Sequence, residues 1–176
     1  MMIPNGHTAK LVRINNPQNQ DFRISEVCDR LKFIQPTPVV IVGGAKSERP
    51  GKTMAGICRA AFNTGAFVID SGLGTCIERF CLRKGVMLLG VCPEAEVDYP
   101  RLNPANRTNN ELANGHSHFF SLGKEKGKGL ALKWGQETPM KFDLAKRISI
   151  GRKGGYGSTG APQCKMLSVI IGDNEP

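Results

Sequence analysis

The stretch Pro38–Pro93, PVVIVGGAKSERPGKTMAGICRAAFNTGAFVIDSGLGTCIERFCLRKGVMLLGVCP, decides the fold. Val39-Val40-Ile41-Val42 is a short apolar, β-branched run, the pattern of a parallel strand buried on both faces. After a loop, Met54, Ile57, Cys58 and Ala61 recur at helical spacing, and Asn63-Thr64-Gly65 supplies a glycine stop. Phe67-Val68-Ile69 predicts a second strand. Ile77, Phe80 and Cys81 predict a second helix, with Lys84 in its last turn and Gly85 behind it. Val86-Met87-Leu88-Leu89 predicts a third strand. Two successive βαβ units imply right-handed crossovers, hence a Rossmann-like three-layer α/β/α domain with a mainly parallel central sheet.

Outward from this core the signals thin. Residues 1–35 read as an N-terminal extension packing on a domain of residues 36–176. The extension holds a strand candidate at Lys10–Ile14 and a helix at Ile24–Ile34, whose Ile24, Val27, Leu31 and Ile34 form one stripe. Glu94–Asn114 is rich in Pro and Asn and reads as an irregular loop. His116–Leu122 regains strand character, Met140, Leu144 and Ile148 mark a helix, Arg152–Pro162 is a Gly-rich loop, and Leu167–Ile171 is a last strand. No internal repeat is apparent.

Bulk properties bound the function. A chain of 176 residues matches one domain of about 100–200 residues, and a mean hydropathy of −0.25 is ordinary for a soluble one. The opening Met1–His7 lacks the apolar core of a secretory signal, and no apolar run approaches the ~20 residues of a membrane span. The cysteines form no C-x-x-C pair, so they read as reduced core residues in a cytoplasmic protein, with no metal site and no cofactor. The net charge of +9 favours an anionic partner. Between Lys124 and Lys165 the basic residues outnumber Glu125, Glu137 and Asp143, yet no aromatics interleave to stack bases. A phosphate-bearing small molecule therefore fits better than nucleic acid. Membrane contact is not expected, and self-association is compatible with the pattern.

The chemistry lies where the strands end. The first strand leads into Gly43-Gly44-Ala45, the second into Asp70-Ser71-Gly72-Leu73-Gly74-Thr75, and the last into Gly172-Asp173. Ligands of open parallel sheets bind outside the carboxyl ends of the strands. Glycines there let backbone N–H groups approach a phosphate, and a following helix N-terminus adds partial positive charge. His116-Ser117-His118 enters a strand, which predicts two imidazoles on one face with an orienting, ligand-contacting or packing role. No third metal ligand stands near them.

Two motifs look catalytic. Lys46–Thr53 ends in the Gly-Lys-Thr of a P-loop, but residue 46 is lysine where that loop requires glycine, and Pro50 lacks a donor for the phosphate cradle. Gly72-Leu73-Gly74-Thr75-Cys76-Ile77-Glu78 resembles the G-x-G-T-x-x-E of cytokinin-activating phosphoribohydrolases of the LOG type, which would make Glu78 catalytic. The same residues predict a capping box between Thr75 and Glu78. In that family the motif follows the next strand, whereas here Phe119-Phe120-Ser121-Leu122 leads into Gly123-Lys124-Glu125-Lys126.

As an ordered set, VVIVGGA at 39–45, GAFVIDSGLG at 65–74, LLGVCP at 88–93, HSHF at 116–119, Trp134-Gly135-Gln136-Glu137-Thr138-Pro139 and the strand ending at Gly172-Asp173 resemble another group. They are similar to the SLOG domain of the LSDAT branch, found in the N-terminal region of TRPM channels and in prokaryotic stand-alone relatives. The resemblance spans roughly Gln35 to Pro176. It implies a non-catalytic sensor of nucleotides or nucleotide derivatives such as ADP-ribose. By that resemblance the ligand edge comprises Gly43, Gly44, Ala45, Asp70, Ser71, Gly72, Gly74, Thr75, Gly172 and Asp173, with His116 and His118 nearby. Family members often carry Gly-Gly at Ser71-Gly72 and at Gly172-Asp173, so Asp173 is expected on a ribose hydroxyl or outside the site. They also continue into a further strand and a Gly-Ser-Gly-Arg loop, so a truncated domain or a lost site element is expected. The alternatives are LOG-type hydrolysis of nucleoside monophosphates and single-strand binding, as in a related DNA-processing protein.

Overall fold

The computed structural model describes residues 8–15, 24–44, 51–100, 108–123, 131–151 and 164–171. In chain order these form β1 (Lys10–Asn15), α1 (Ile24–Arg30), β2 (Val39–Gly44), α2 (Gly51–Thr64), β3 (Phe67–Asp70), α3 (Ile77–Lys84), β4 (Leu88–Pro93), β5 (His118–Gly123), α4 (Thr138–Ile150) and β6 (Met166–Ile171). The six strands make one parallel sheet in the order β1-β5-β4-β3-β2-β6.

Side-chain alternation along the strands packs both faces of the sheet, with a smaller cluster of Ala9, Cys92, Leu112 and Phe119 beside them. On one face Val68, Leu88 and Val42 meet Met54, Cys58 and Ala61 of α2 and Ile77 and Cys81 of α3. On the other, Ile41, Ile69, Leu89, Val91 and Phe120 meet Cys28 of α1 and Met140, Leu144 and Ile148 of α4. The chain steps from β2 through β3 and β4 to β5 in one direction, then returns through α4 to lay β6 on the other side of β2. That reversal makes β2 a topological switch point, the place where such sheets open a crevice. α4 packs across β2, β3 and β6. Its last turn meets the amino edge, where Thr37 N–H donates to the Ile148 carbonyl at 3.1 Å. Its N-terminus therefore points toward the carboxyl edge.

The glycine stops behave as their backbones require. Gly65 and Gly85 follow α2 and α3 at φ 65° and 71°, a left-handed conformation that glycine adopts without a Cβ clash. α1 is shorter than its stripe suggests. Lys32 takes φ 63°, and Phe33 N–H turns back to the Cys28 carbonyl at 2.8 Å, ending the helix without a glycine. The third strand begins two residues later than Val86 and runs to Pro93. All six of its residues are buried, so no alternation marks its ends. Cys28, Cys58, Cys81 and Cys92 are buried free thiols. Burial pushes Cys28 up to about 11 and Cys92 up to about 12, so neither is a thiolate near neutrality.

Candidate functional site

At the end of β3 the chain must leave the sheet, and it does so across β4. Gly90 permits this: a Cβ there would lie 2.7 Å from the Gly72 Cα. Gly72 takes φ 80° and rests on the Phe119 ring and Leu112. The turn is organised by Asp70. Its Oδ1 accepts the Gly72 N–H and the His116 Nε2–H, both at 2.8 Å, and its Oδ2 accepts the Thr75 hydroxyl at 3.4 Å. Ala113 N–H donates to the Gly72 carbonyl at 2.9 Å, pinning the far side of the turn.

Asp70 and His116 are 1% and 0% exposed. The imidazole has an acceptor on both sides, Asp70 at Nε2 and the Ala113 carbonyl at Nδ1, 3.1 Å away. Both nitrogens can donate together only in the imidazolium. Burial alone would lower the His116 pKa; the adjoining carboxylate and carbonyl outweigh it and hold the ring above its ordinary value. This buried pair ties the β3 turn to the entrance of β5 and positions the turn.

The two histidines do not share a face. β5 begins only at His118, so strand alternation does not extend back to His116. His116 lies on Phe119, with ring centroids 4.7 Å apart, while His118 stands edge-on to Phe33 on the opposite face. His118 is buried, its Nδ1 lies 3.1 Å from the Ser117 hydroxyl, and its Nε2 has no partner. Burial, then the charge of Lys10, lower its pKa to about 4, so this imidazole is neutral. It belongs to the core and not to the ligand edge.

The expected capping box is half formed. Thr75 N–H donates to Glu78 Oε2 at 3.3 Å, but the Thr75 hydroxyl is spent on Asp70. Cys76 enters α3 at φ 70° and gives no side-chain cap. Glu78 is half-buried, and burial is the main reason its carboxyl group titrates above the ordinary value. Gly115, at φ 109°, lies close to Glu78: a Cβ there would be 2.7 Å from the Glu78 carbonyl oxygen.

Gly43 and Gly44 close β2, paired with Ile170 and Ile171 of β6, and a Cβ on Gly43 or Gly74 would meet nothing within 4 Å. Ser71 and Thr75 are partly exposed and Gly74 is exposed. Ala45, Gly172 and Asp173 lie outside the described residues, as does most of the near-P-loop; its Gly51-Lys52-Thr53 forms the first turn of α2.

From Gly74 a cleft of about 470 Å³ runs between α3 and the connection from β4 to β5. Glu78, Arg79 and Leu82 line one wall, and Asn109, Glu111 and Asn114 are on the other. Sequence reading passed over that second wall because its Asn and Pro residues signal only a loop. The bridge between Asp98 and Glu111 gives the connection its shape, and it joins residues too far apart for spacing to show. Glu137 was also missed as an organising residue. It accepts the Gly135 N–H at 2.6 Å and the buried Lys141 ammonium at 3.0 Å, setting the start of α4.

No group of three or more His, Cys, Asp or Glu among the described residues could hold a metal ion, and no described helix is long and apolar enough to cross a membrane. Residues 36–175 match the model of the family described as SLOG in TRPM, prokaryote. No curated protein matches the chain. β1 and α1 precede the matched region, yet β1 pairs with β5 along its whole length and α1 packs on α4.

Proposed function

This chain belongs to the family SLOG in TRPM, prokaryote, and from that premise we propose that it is a sensor that holds a nucleotide or nucleotide derivative without turning it over. Membership makes it a ligand-binding or nucleotide-related domain; an ADP-ribose-like ligand and the absence of catalysis are our reading. The observation that carries it is a pair of glycine-bearing strand ends, Gly43-Gly44 closing β2 and the Gly72–Gly74 turn following β3, at the carboxyl edge of neighbouring parallel strands with β2 at the switch point. Backbone N–H groups on such turns cradle phosphate, and the α4 N-terminus faces the same edge. Ser71, Gly74 and Thr75 would contact the ligand. Ala45, Gly172 and Asp173 would extend the same edge. Asp70 and His116 would keep the turn in shape.

The test is thermal melting with ADP-ribose, NAD, and linear and cyclic nucleotides, followed by recovery of the ligand. A ligand at a hundred times its Kd adds about 2.7 kcal/mol, a shift of several degrees. The reading expects such a shift with at least one compound, its loss in Gly74→Leu, and an unaltered ligand. Flat melting curves across the panel overturn it.

One observation favours hydrolysis of a nucleotide N-glycosidic bond instead: Glu78, with its raised pKa, lines the cleft. That reading requires release of free base, abolished by Glu78→Gln in a folded protein. The hydrogen bond from Thr75 N–H to Glu78 favours the capping role, for which Glu78→Gln changes mainly stability.

A further inference from the structure

We propose that the cleft between α3 and the β4–β5 connection is a separate subsite for the nucleoside end of the ligand, base and ribose, while the phosphate lies on the glycine turns. The proposal rests on the nucleotide-binding reading above and divides that ligand between two places.

Size comes first. About 470 Å³ falls within the ~300–1,000 Å³ of clefts that enclose small organic ligands. Chemistry decides which end enters. The described lining holds two carboxylic acids, Glu78 and Glu111, and one guanidinium, Arg79. Carboxyl groups accept the protons of ribose hydroxyls.

The remaining lining suits a base. Asn109 and Asn114 each carry a carbonyl acceptor and an amide donor, the pair of functions a heterocycle edge presents. Leu82 and Leu112 give apolar surface for its flat faces. Arg79 donates at 3.4 Å to the Cys76 sulfur and forms no ion pair among the described residues, leaving its plane able to stack on a ring. Position completes the argument: the cleft starts at Gly74, within the very turn that would hold the phosphate. A nucleotide anchored there has only a few ångströms to cross.

Binding to the whole protein is measured by calorimetry for inorganic phosphate, for adenosine, guanosine, cytidine and uridine, and for their 5′-monophosphates. The same titrations are repeated on Arg79→Ala and Asn109→Ala, both exposed side chains, with melting of each variant as the check that it is folded. The expected result is a monophosphate that binds the wild type and loses tenfold or more in both variants, with phosphate affinity unaltered. If a monophosphate binds and the variants leave it untouched, or weaken phosphate equally, the subsite is wrong and the edge reading stands. If a nucleoside binds in a variant-sensitive way and phosphate adds nothing, the subsite stands and the phosphate reading fails. No binding by any compound overturns both.

Discussion

Replacing Gly90 by alanine is the sharpest probe of how the site is built. A Cβ at this position would lie 2.7 Å from the Gly72 Cα, 2.9 Å from Phe119 Cδ1 and 3.2 Å from the Gly72 nitrogen. Carbon atoms pack comfortably at about 3.5–4.0 Å, so close to 1 Å must be found. Neither neighbour gives easily. Phe119 is fully buried, and Gly72 is held by its bonds to Asp70 and from Ala113. Overpacking of this kind costs about 1–3 kcal/mol, or a Tm lower by roughly 2–12 °C in a chain of this size. Because the displaced atom belongs to the β3 turn, ligand-induced stabilisation should fall as well. Gly56→Ala is the control: that glycine is exposed inside α2, a Cβ there meets nothing, and helix propensity predicts a gain of about 0.5–1 kcal/mol. Urea unfolding at one temperature compares the three proteins. Gly90→Ala unfolding at the wild-type midpoint, or Gly56→Ala losing as much as Gly90→Ala, would refute the idea that the turn lies on β4.

The two histidines predict opposite pH dependences. His118 has its folded pKa lowered to about 4, so its contribution is fully present above its ordinary pKa of 6.5 and is lost as pH falls toward 4. The loss is about 3 kcal/mol, and a His118→Leu variant should show a flatter stability profile between those pH values; an identical profile sinks the assignment. His116 has its folded pKa raised, so its contribution is present below 6.5 and declines as pH rises through the folded value. Breaking the buried pair should cost about 3–5 kcal/mol in His116→Leu, because Asp70 is left charged and unmatched. A double-mutant cycle with Asp70→Asn should then show strong coupling, whereas additive effects would mean that the pair is not an ion pair.

How much of this was legible beforehand depended on the range of the signal. β2, α2, β3 and α3 could be read because β-branched runs, helical spacing and the glycines at 65 and 85 are all local. α1 was read too long because its stop is Lys32 in a left-handed conformation, which no local pattern announces. β4 starts two residues and ends four residues later than Val86–Leu89 because a strand buried on both faces carries no period. The glycine edge was legible as a list of positions but not as a mechanism. Nothing in the spacing joins Asp70 to His116, forty-six residues on, or separates His116 from His118 onto opposite faces.

That separation alters what the edge is asked to do. Asp70 stands where a ligand-contacting carboxylate would be sought, yet three donors converge on it and it is 1% exposed. A carboxylate so engaged holds the backbone of the turn. Both ring nitrogens of His116 already face acceptors, Asp70 and the Ala113 carbonyl. The ionisable groups at the end of β3 are thus consumed in fixing the turn, and what remains facing outward is main chain, a hydroxyl and the exposed Gly74. Such a surface offers pre-set hydrogen-bond donors to an anion and little proton-transfer machinery. Among the described residues beside this turn, Glu78 lines a cleft with its carboxyl group held above its ordinary pKa by burial. That makes it the one residue whose removal separates a sensor from a hydrolase.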